Sequence, residues 1–299
     1  MIQPTSLTPA SLEIDDLMAD PREEWQRMLR FCQVDDAALR ATMPSVEPLL
    51  RRAPETVAGT YDYLSHFPET AAVLGWEQRV DAAHLEERRR FFAVWLSRTL
   101  AFDRSDEFAL YLFKAGKYHA AHGPRQIHTP ETWITGSIGL MLSAFATQMG
   151  EAGLSGPVIA AAMSAWSRYL SAQLHLMTFG YRIAVDLTRG AAELHCTTFG
   201  RLRPLVERTS LTICTEEGAP ARSALRKFFN YFPAARAEAL ERVWRSDQPS
   251  HSSWVEVRPS YLPRYGWRVL LNGRELEYAG GFEAAVHNGD ELSIFPPGR

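Results

Sequence analysis

Three of the nine histidines in this 299-residue chain fall inside one short stretch, AGKYHAAHGPRQIHTPETW, at residues 115–133. Counting toward it, Phe108, Leu112, Ala115, His119 and His122 recur at steps of four, three, four and three, the spacing of one face of a helix. An imidazole on an apolar helix face has two readings. It can be a core histidine satisfied by a hydrogen bond. It can instead aim a nitrogen lone pair at an iron, with a flat porphyrin filling the apolar space beside it. Spacing alone leaves both open.

Other chemistries find no foothold. The chain has no phosphate-cradling glycine loop, no HExxH and no GxSxG. Cys32, Cys196 and Cys214 stand in no CxxC pair, which argues against structural zinc and a disulfide framework. Hydrophobic residues are 46% and charged residues 22%, a globular composition, and a net charge of −3 gives no pull toward nucleic acid or an acidic membrane. The opening segment, MIQPTSLTPASLEIDDLMAD, lacks a basic stretch followed by an apolar core, so no signal peptide is expected. The apolar runs at 134–149 and 157–166 carry polar residues and fall short of a membrane span. A cytoplasmic protein without nucleic-acid or membrane partners is the expectation.

The elements that must position the histidines are helical. Residues 1–20 read as an N-terminal extension, and helical patterning runs from Pro21 to about Leu187. Segments are expected at 35–44, at 45–66 ending before Pro68, and at 81–100, where the charged run Glu86–Arg90 reads as mostly outward. His66 and His84 read as surface residues. Thr129 and Pro130 make a helix start, and two apolar helices follow at about 130–149 and 155–187. In the latter, Ile159, Met163, Trp166, Leu170, Leu174, Met177 and Tyr181 form a stripe. Either the rest of the domain covers it, or a second copy does, as a homodimer through helices 130–149 and 155–187.

After Gly190 the texture becomes α+β. Strands are expected at 194–199, 210–215, 267–271 and 291–295, and a helix from 220 to 231, extending to 244 in its longest reading. Residues 245–266 read as a loop or insertion, and Asn272-Gly273 as a tight reversal.

Residues 22–187 resemble the globin-coupled sensor and protoglobin family. The likeness rests on TYDYLSHFPE at 60–69, on Leu85 with the FFAVWL run after it, and on AGKYH at 115–119 with Ile127–Trp133. It implies an all-α sensor-type globin over 21–189 holding b-type haem, with His119 on the proximal iron ligand and Tyr61 on the distal tyrosine beside a diatomic gas (O2, NO or CO). Leu85, Phe92, Trp95, Leu112 and Trp133 become pocket candidates. Between His119 and Ile127 the chain has about five residues more than the family pattern, which makes His122 the rival iron ligand.

Residues 192–299 resemble the small ubiquitin-like sulfur carriers through LLNGREL at 270–276 and NGDELSIFPPGR at 288–299. That implies a ubiquitin-like β-grasp domain over 190–299. The chain ends Pro297-Gly298-Arg299 without the carriers' diglycine, which favours a module that docks an unknown protein over sulfur transfer. The combined expectation is a haem-based sensor of a gas or of redox state. A haem-dependent nitric oxide dioxygenase or peroxidase, and a sulfur-carrier-like interaction protein, are the alternatives.

Overall fold

The computed structural model describes residue 14 and residues 17–206, 210–247 and 253–296. The chain divides into two compact units: residues 20–182, and residues 183–299 with the segment before residue 20. Eight helices lead: α1 (Pro21–Phe31), α2 (Asp36–Arg51), α3 (Ala53–His66), α4 (Pro68–Leu74), α5 (Ala82–Leu100), α6 (Asp106–His119), α7 (Glu131–Glu151) and α8 (Gly156–Leu187).

Their starts are written in side chains. Asp20, Asp35, Asp81 and Ser105 each accept a hydrogen bond from a backbone N–H of the first turn of α1, α2, α5 and α6 respectively. The expected break at Pro44 does not occur, because α2 runs through both Pro44 and Pro48 to Arg51. The hydroxyls of Thr42 and Ser45 donate to the carbonyls of Leu39 and Thr42, and the buried face of Thr42, Ser45 and Leu49 holds the helix in place. Helix α7 begins at Glu131, one residue later than the sequence indicates.

The core of the first unit is aromatic. Trp166 is fully buried, its ring edge-on to Phe102 and Phe145, and its indole N–H donates to Ser45 Oγ at 3.0 Å. Of the stripe on α8, Trp166, Leu170, Met177 and Tyr181 are buried within this chain, whereas Ile159, Met163 and Leu174 stay half-exposed.

Helices α6 and α8 cross in backbone contact. A Cβ on Gly116 would lie 1.9 Å from the Met177 carbonyl oxygen, and one on Gly180 would lie 2.1 Å from that of Phe113. Two glycines, one from each helix, permit the crossing.

The second unit contains a five-stranded sheet in the order β2-β1-β7-β5-β6, formed by β1 (Ala192–Thr198), β2 (Ser210–Thr215), β5 (Arg268–Leu271), β6 (Arg274–Glu275) and β7 (Glu291–Phe295). The central pair β1–β7 is parallel and its neighbours are antiparallel. A short helix α9 (Arg203–Val206) leads into β2, and α10 (Ala221–Tyr231) and α11 (Pro233–Ala239) follow it. Phe228 and Phe229 of α10 and Leu194 and Cys196 of β1 are fully buried. A parallel central pair flanked by antiparallel strands, with helices between β2 and the later strands, is the ubiquitin-like β-grasp arrangement. Asn272 and Gly273 both have positive φ (52° and 77°), the reversal expected between β5 and β6.

Within the expected loop of 245–266, residues 245–247 and 256–263 are strands. Strands β3 (Leu240–Asp247) and β4 (Glu256–Pro263) pair in antiparallel register as a separate two-stranded arm, so the helix after residue 220 takes its shorter reading as α10, ending at Tyr231, with α11 separate from it and no helix from Leu240 to 244. Ile14 joins this unit through a bridge to Tyr261. The tail Pro297–Arg299 lies outside the described residues.

A buried lysine ties the unit together. The Lys227 ammonium on α10 donates to the carbonyls of Asp186 (2.7 Å), Arg189 (2.7 Å) and Cys214 (2.8 Å), joining the C-terminal end of α8 to β2. Cations are favoured at that end of a helix. Gly190 completes the junction: its φ is 140°, and an added Cβ would lie 2.3 Å from the Thr215 carbonyl.

Candidate functional site

His119 is the last residue of α6. Its Nδ1 lies 2.8 Å from the Ala115 carbonyl oxygen, one turn back. A carbonyl only accepts, so Nδ1 carries the proton and Nε2 keeps its lone pair. Burial pushes the imidazole pKa down to about 4, and the nearby Arg88 guanidinium adds to this, so the ring is neutral at ordinary pH. Among the described residues Nε2 has no hydrogen-bond partner. A neutral, oriented imidazole with a free lone pair is the form in which histidine ligates iron.

His122 stands differently. Helix α6 ends before it, Ala121 turns with φ of 69°, and the His122 amide donates to the Lys117 carbonyl in the wrapped chain end. The extra residues after His119 form a loop closed at its base: the Thr129 amide donates to the His119 carbonyl at 2.7 Å, and Ala120 bridges His128. The inserted length is therefore taken up after the last turn of α6, against which its first residues pack, and leaves the helix end intact. His128 is held at 2.7 Å from the Tyr181 hydroxyl on α8.

Tyr61, Leu85, Phe92 and Trp95 lie on α3 and α5, which pack on each other. The Tyr61 hydroxyl donates to the Arg88 carbonyl at 3.1 Å, and its ring meets Phe92 edge-on, at 6.1 Å between centres. Burial pushes the phenol up to about 12, so it remains a proton donor. Phe92 stacks on Trp95 at 5.3 Å, and the Trp95 indole donates to Gln173 on α8. Leu85 and Phe92 are only half-buried, and so is Trp133, which meets Phe67 at 5.2 Å. Leu112, in contrast, is fully buried on α6. Among the described residues no cluster of three His, Cys, Asp or Glu could hold a metal ion. A porphyrin needs only the one axial imidazole, and the donor set fits that group.

Two site residues lay hidden in the sequence. His84 is buried, 4% exposed, against Trp76, and its Nε2 accepts from Arg88 Nε at 2.9 Å; it is not a surface residue. Arg88 is not outward either, because it lies three residues after Leu85 and four before Phe92, on the same helix face. Burial lowers its pKa, and its charge is felt at both Tyr61 and His119. Its neighbour Arg89 has a buried Nε with no partner. His66 is exposed, as the sequence indicates.

Against known proteins, the family model described as Protoglobin matches residues 20–184. The solution structure of small archaeal modifier protein 1 from Methanosarcina acetivorans matches 36% of this chain and 93% of its own, at 21% identity and a TM-score of 0.27. The Haloferax volcanii HVO 2177 protein matches 36% of this chain and 85% of its own, at 22% identity and a TM-score of 0.27. The H. volcanii small archaeal modifier protein 1 matches 36% of this chain and all of its own, at 18% identity and a TM-score of 0.27. Comparison with curated proteins gives no match.

Proposed function

We propose, from the premise that this chain belongs to the protoglobin family, that its helical unit holds b-type haem on His119 and binds a diatomic gas beside Tyr61. In this reading the β-grasp unit serves as the output or docking module. The observation that carries the proposal is the His119 ring, with Nδ1–H donated to Ala115 and Nε2 free. The haem would supply an iron on which a gas ligand sits. His119 would fix the iron, and its bond to Ala115 would keep the ring orientation. Tyr61 would turn its O–H from the Arg88 carbonyl toward the ligand, while Leu85, Phe92 and Trp95 keep water out. The absence of a CxxC pair favours haem held without thioether links.

A signal has a short mechanical route. His119 lies three residues beyond Gly116, whose backbone touches Met177, so a shift of α6 displaces α8 rather than compressing side chains. Helix α8 runs without a break to Leu187. A homodimer through 130–149 and 155–187 belongs to the same proposal. Its support is Gly136, Gly139 and Leu140 on the outer face of α7, where an added Cβ on either glycine meets nothing and Leu140 is 43% exposed. Mid-helix glycine costs about 1 kcal/mol against alanine, which a close helix approach would offset. No helix among the described residues is long and apolar enough to cross a membrane, and three free cysteines suit a reducing, cytoplasmic setting.

The test is the visible spectrum of wild type, His119→Ala and His122→Ala, ferric and ferrous, with and without carbon monoxide, alongside the mass by light scattering. A Soret band that shifts with carbon monoxide and is lost in His119→Ala alone is expected, on a particle of twice the chain mass. Loss in His122→Ala alone would move the ligand, and no band in any form would refute haem binding.

A further inference from the structure

The cation on Arg88 is the least compensated charge beside His119. Its Nε donates to His84, which must be neutral to accept, so that bond brings no negative charge. The nearest carboxylate in sequence, Glu87, is engaged by Arg125 at 2.6 Å, from the loop that follows His119. Among the described residues no carboxylate lies within ion-pair distance of Arg88, and neither of its terminal nitrogens makes a hydrogen bond. The guanidinium is nonetheless half-buried, and burial outweighs every charge around it, with a consequent fall in its pKa. Beside it, Arg89 differs: its Nε is buried without a partner, but its Nη2 lies 3.5 Å from Asp62. A half-buried guanidinium whose terminal nitrogens have no protein partner has N–H donors available to an anion.

Its position says where that negative group belongs. Tyr61 donates to Arg88's own backbone carbonyl at 3.1 Å, and the Arg88 side chain is held by its Nε on His84, so the residue lies beside the distal hydroxyl with the end of its guanidinium uncommitted. We propose that Arg88 is the anion-holding residue of this pocket, its planar guanidinium pairing with a negatively charged group of the occupant. The group is either a carboxylate side chain of the haem or a small anion held on its iron. A fork of N–H donors suits both. The proposal rests on the haem reading above. It adds that the pocket is selective for charge, which Tyr61, a neutral donor, cannot make it.

The test uses the full chain as wild type, Arg88→Gln and Arg88→Lys, each first shown to melt cooperatively. Apo-protein is titrated with haem and with haem dimethyl ester, whose carboxylates are blocked. The ferric proteins are then titrated with azide and with neutral imidazole. Arg88→Gln is expected to lose about tenfold in affinity for one anionic probe, with Arg88→Lys retaining most of it. Loss for haem but not for the ester assigns the carboxylate, and loss for azide but not for imidazole assigns the small anion. If Arg88→Gln binds all four probes as wild type does, the proposal is overturned while haem binding stands. If wild type takes up no haem, the haem reading falls. The anion site is then judged by whether azide or benzoate raises the melting temperature of wild type more than that of Arg88→Gln; equal shifts overturn it.

Discussion

Replacing Gly116 by alanine tests the backbone crossing of α6 and α8 in one atom. The added methyl would start 1.9 Å from the Met177 carbonyl oxygen, whereas ordinary contact begins at 3.4 Å, so the helices must part by about 3.4 − 1.9 = 1.5 Å. Both partners are backbone, and no side chain can rotate to absorb the difference. Overpacking of this kind costs about 3 kcal/mol, and the better helix propensity of alanine returns about 1 kcal/mol, leaving a net loss of about 2 kcal/mol. For a unit of residues 20–182 that lowers the melting temperature by about 4–8 °C. Gly59→Ala is the control: it lies exposed within α3, an added Cβ meets nothing within 4 Å, and it should gain about 0.5–1 kcal/mol. Thermal unfolding with haem uptake at each temperature reads both variants. If Gly116→Ala is as stable as wild type and loads haem equally, or if the two variants shift in the same direction, the helices are not in contact there and the relay loses its basis.

Lys227→Met should destabilise the second unit by about 2–4 kcal/mol. It strips charge-assisted bonds from three carbonyls, partly offset by no longer burying an ammonium; a urea midpoint within 0.5 kcal/mol of wild type (roughly the scatter for neutral surface changes) would refute the role. Acid should weaken the haem site from about pH 6.5 downward. The unfolded chain takes up a proton at the ordinary histidine value of 6.5 while folded His119 resists until about 4, so the stability it contributes is complete above 6.5 and lost toward 4. The melting temperature of apo-protein between pH 7 and pH 4.5 should fall less steeply in His119→Gln, and an identical slope would show that His119 is not the group responsible. The same slope should not vanish altogether, because buried His84 has its pKa lowered in the same direction.

Much of this architecture was legible because it rests on local signals. Thr129 and Pro130 marked the start of α7 to within one residue, and the spacing from Phe108 to His119 placed the histidine on the same face as buried Phe108 and Leu112. What escaped was whatever tertiary packing decides. Gly116 and Gly180 look like ordinary helix weaknesses until the two backbones are seen to touch. Arg88 was concealed by its charged neighbours, though its spacing from Leu85 and Phe92 was a signal that it shares their face. The arm of β3 and β4 escaped because several of its residues, Trp244 and Val257 among them, are exposed, so no apolar alternation betrays a pair of strands. The run of α2 through two prolines shows the converse, with buried hydroxyls and side-chain packing overriding a local breaker.

The place of β7 sets an order of assembly. This strand is the last of the seven to be synthesised, yet it lies in the middle of the sheet, paired with β1 on one side and β5 on the other. The two edges of the sheet cannot meet until residues 291–295 have left the ribosome. The unit of residues 20–182 has no such dependence and can fold while the rest is still being made. Until β7 arrives, β1 and β5 remain without their shared partner strand, each an unpaired edge. A chain cut short before Glu291 would thus keep its helical unit and lose the whole sheet, since what goes missing is the strand that joins the halves.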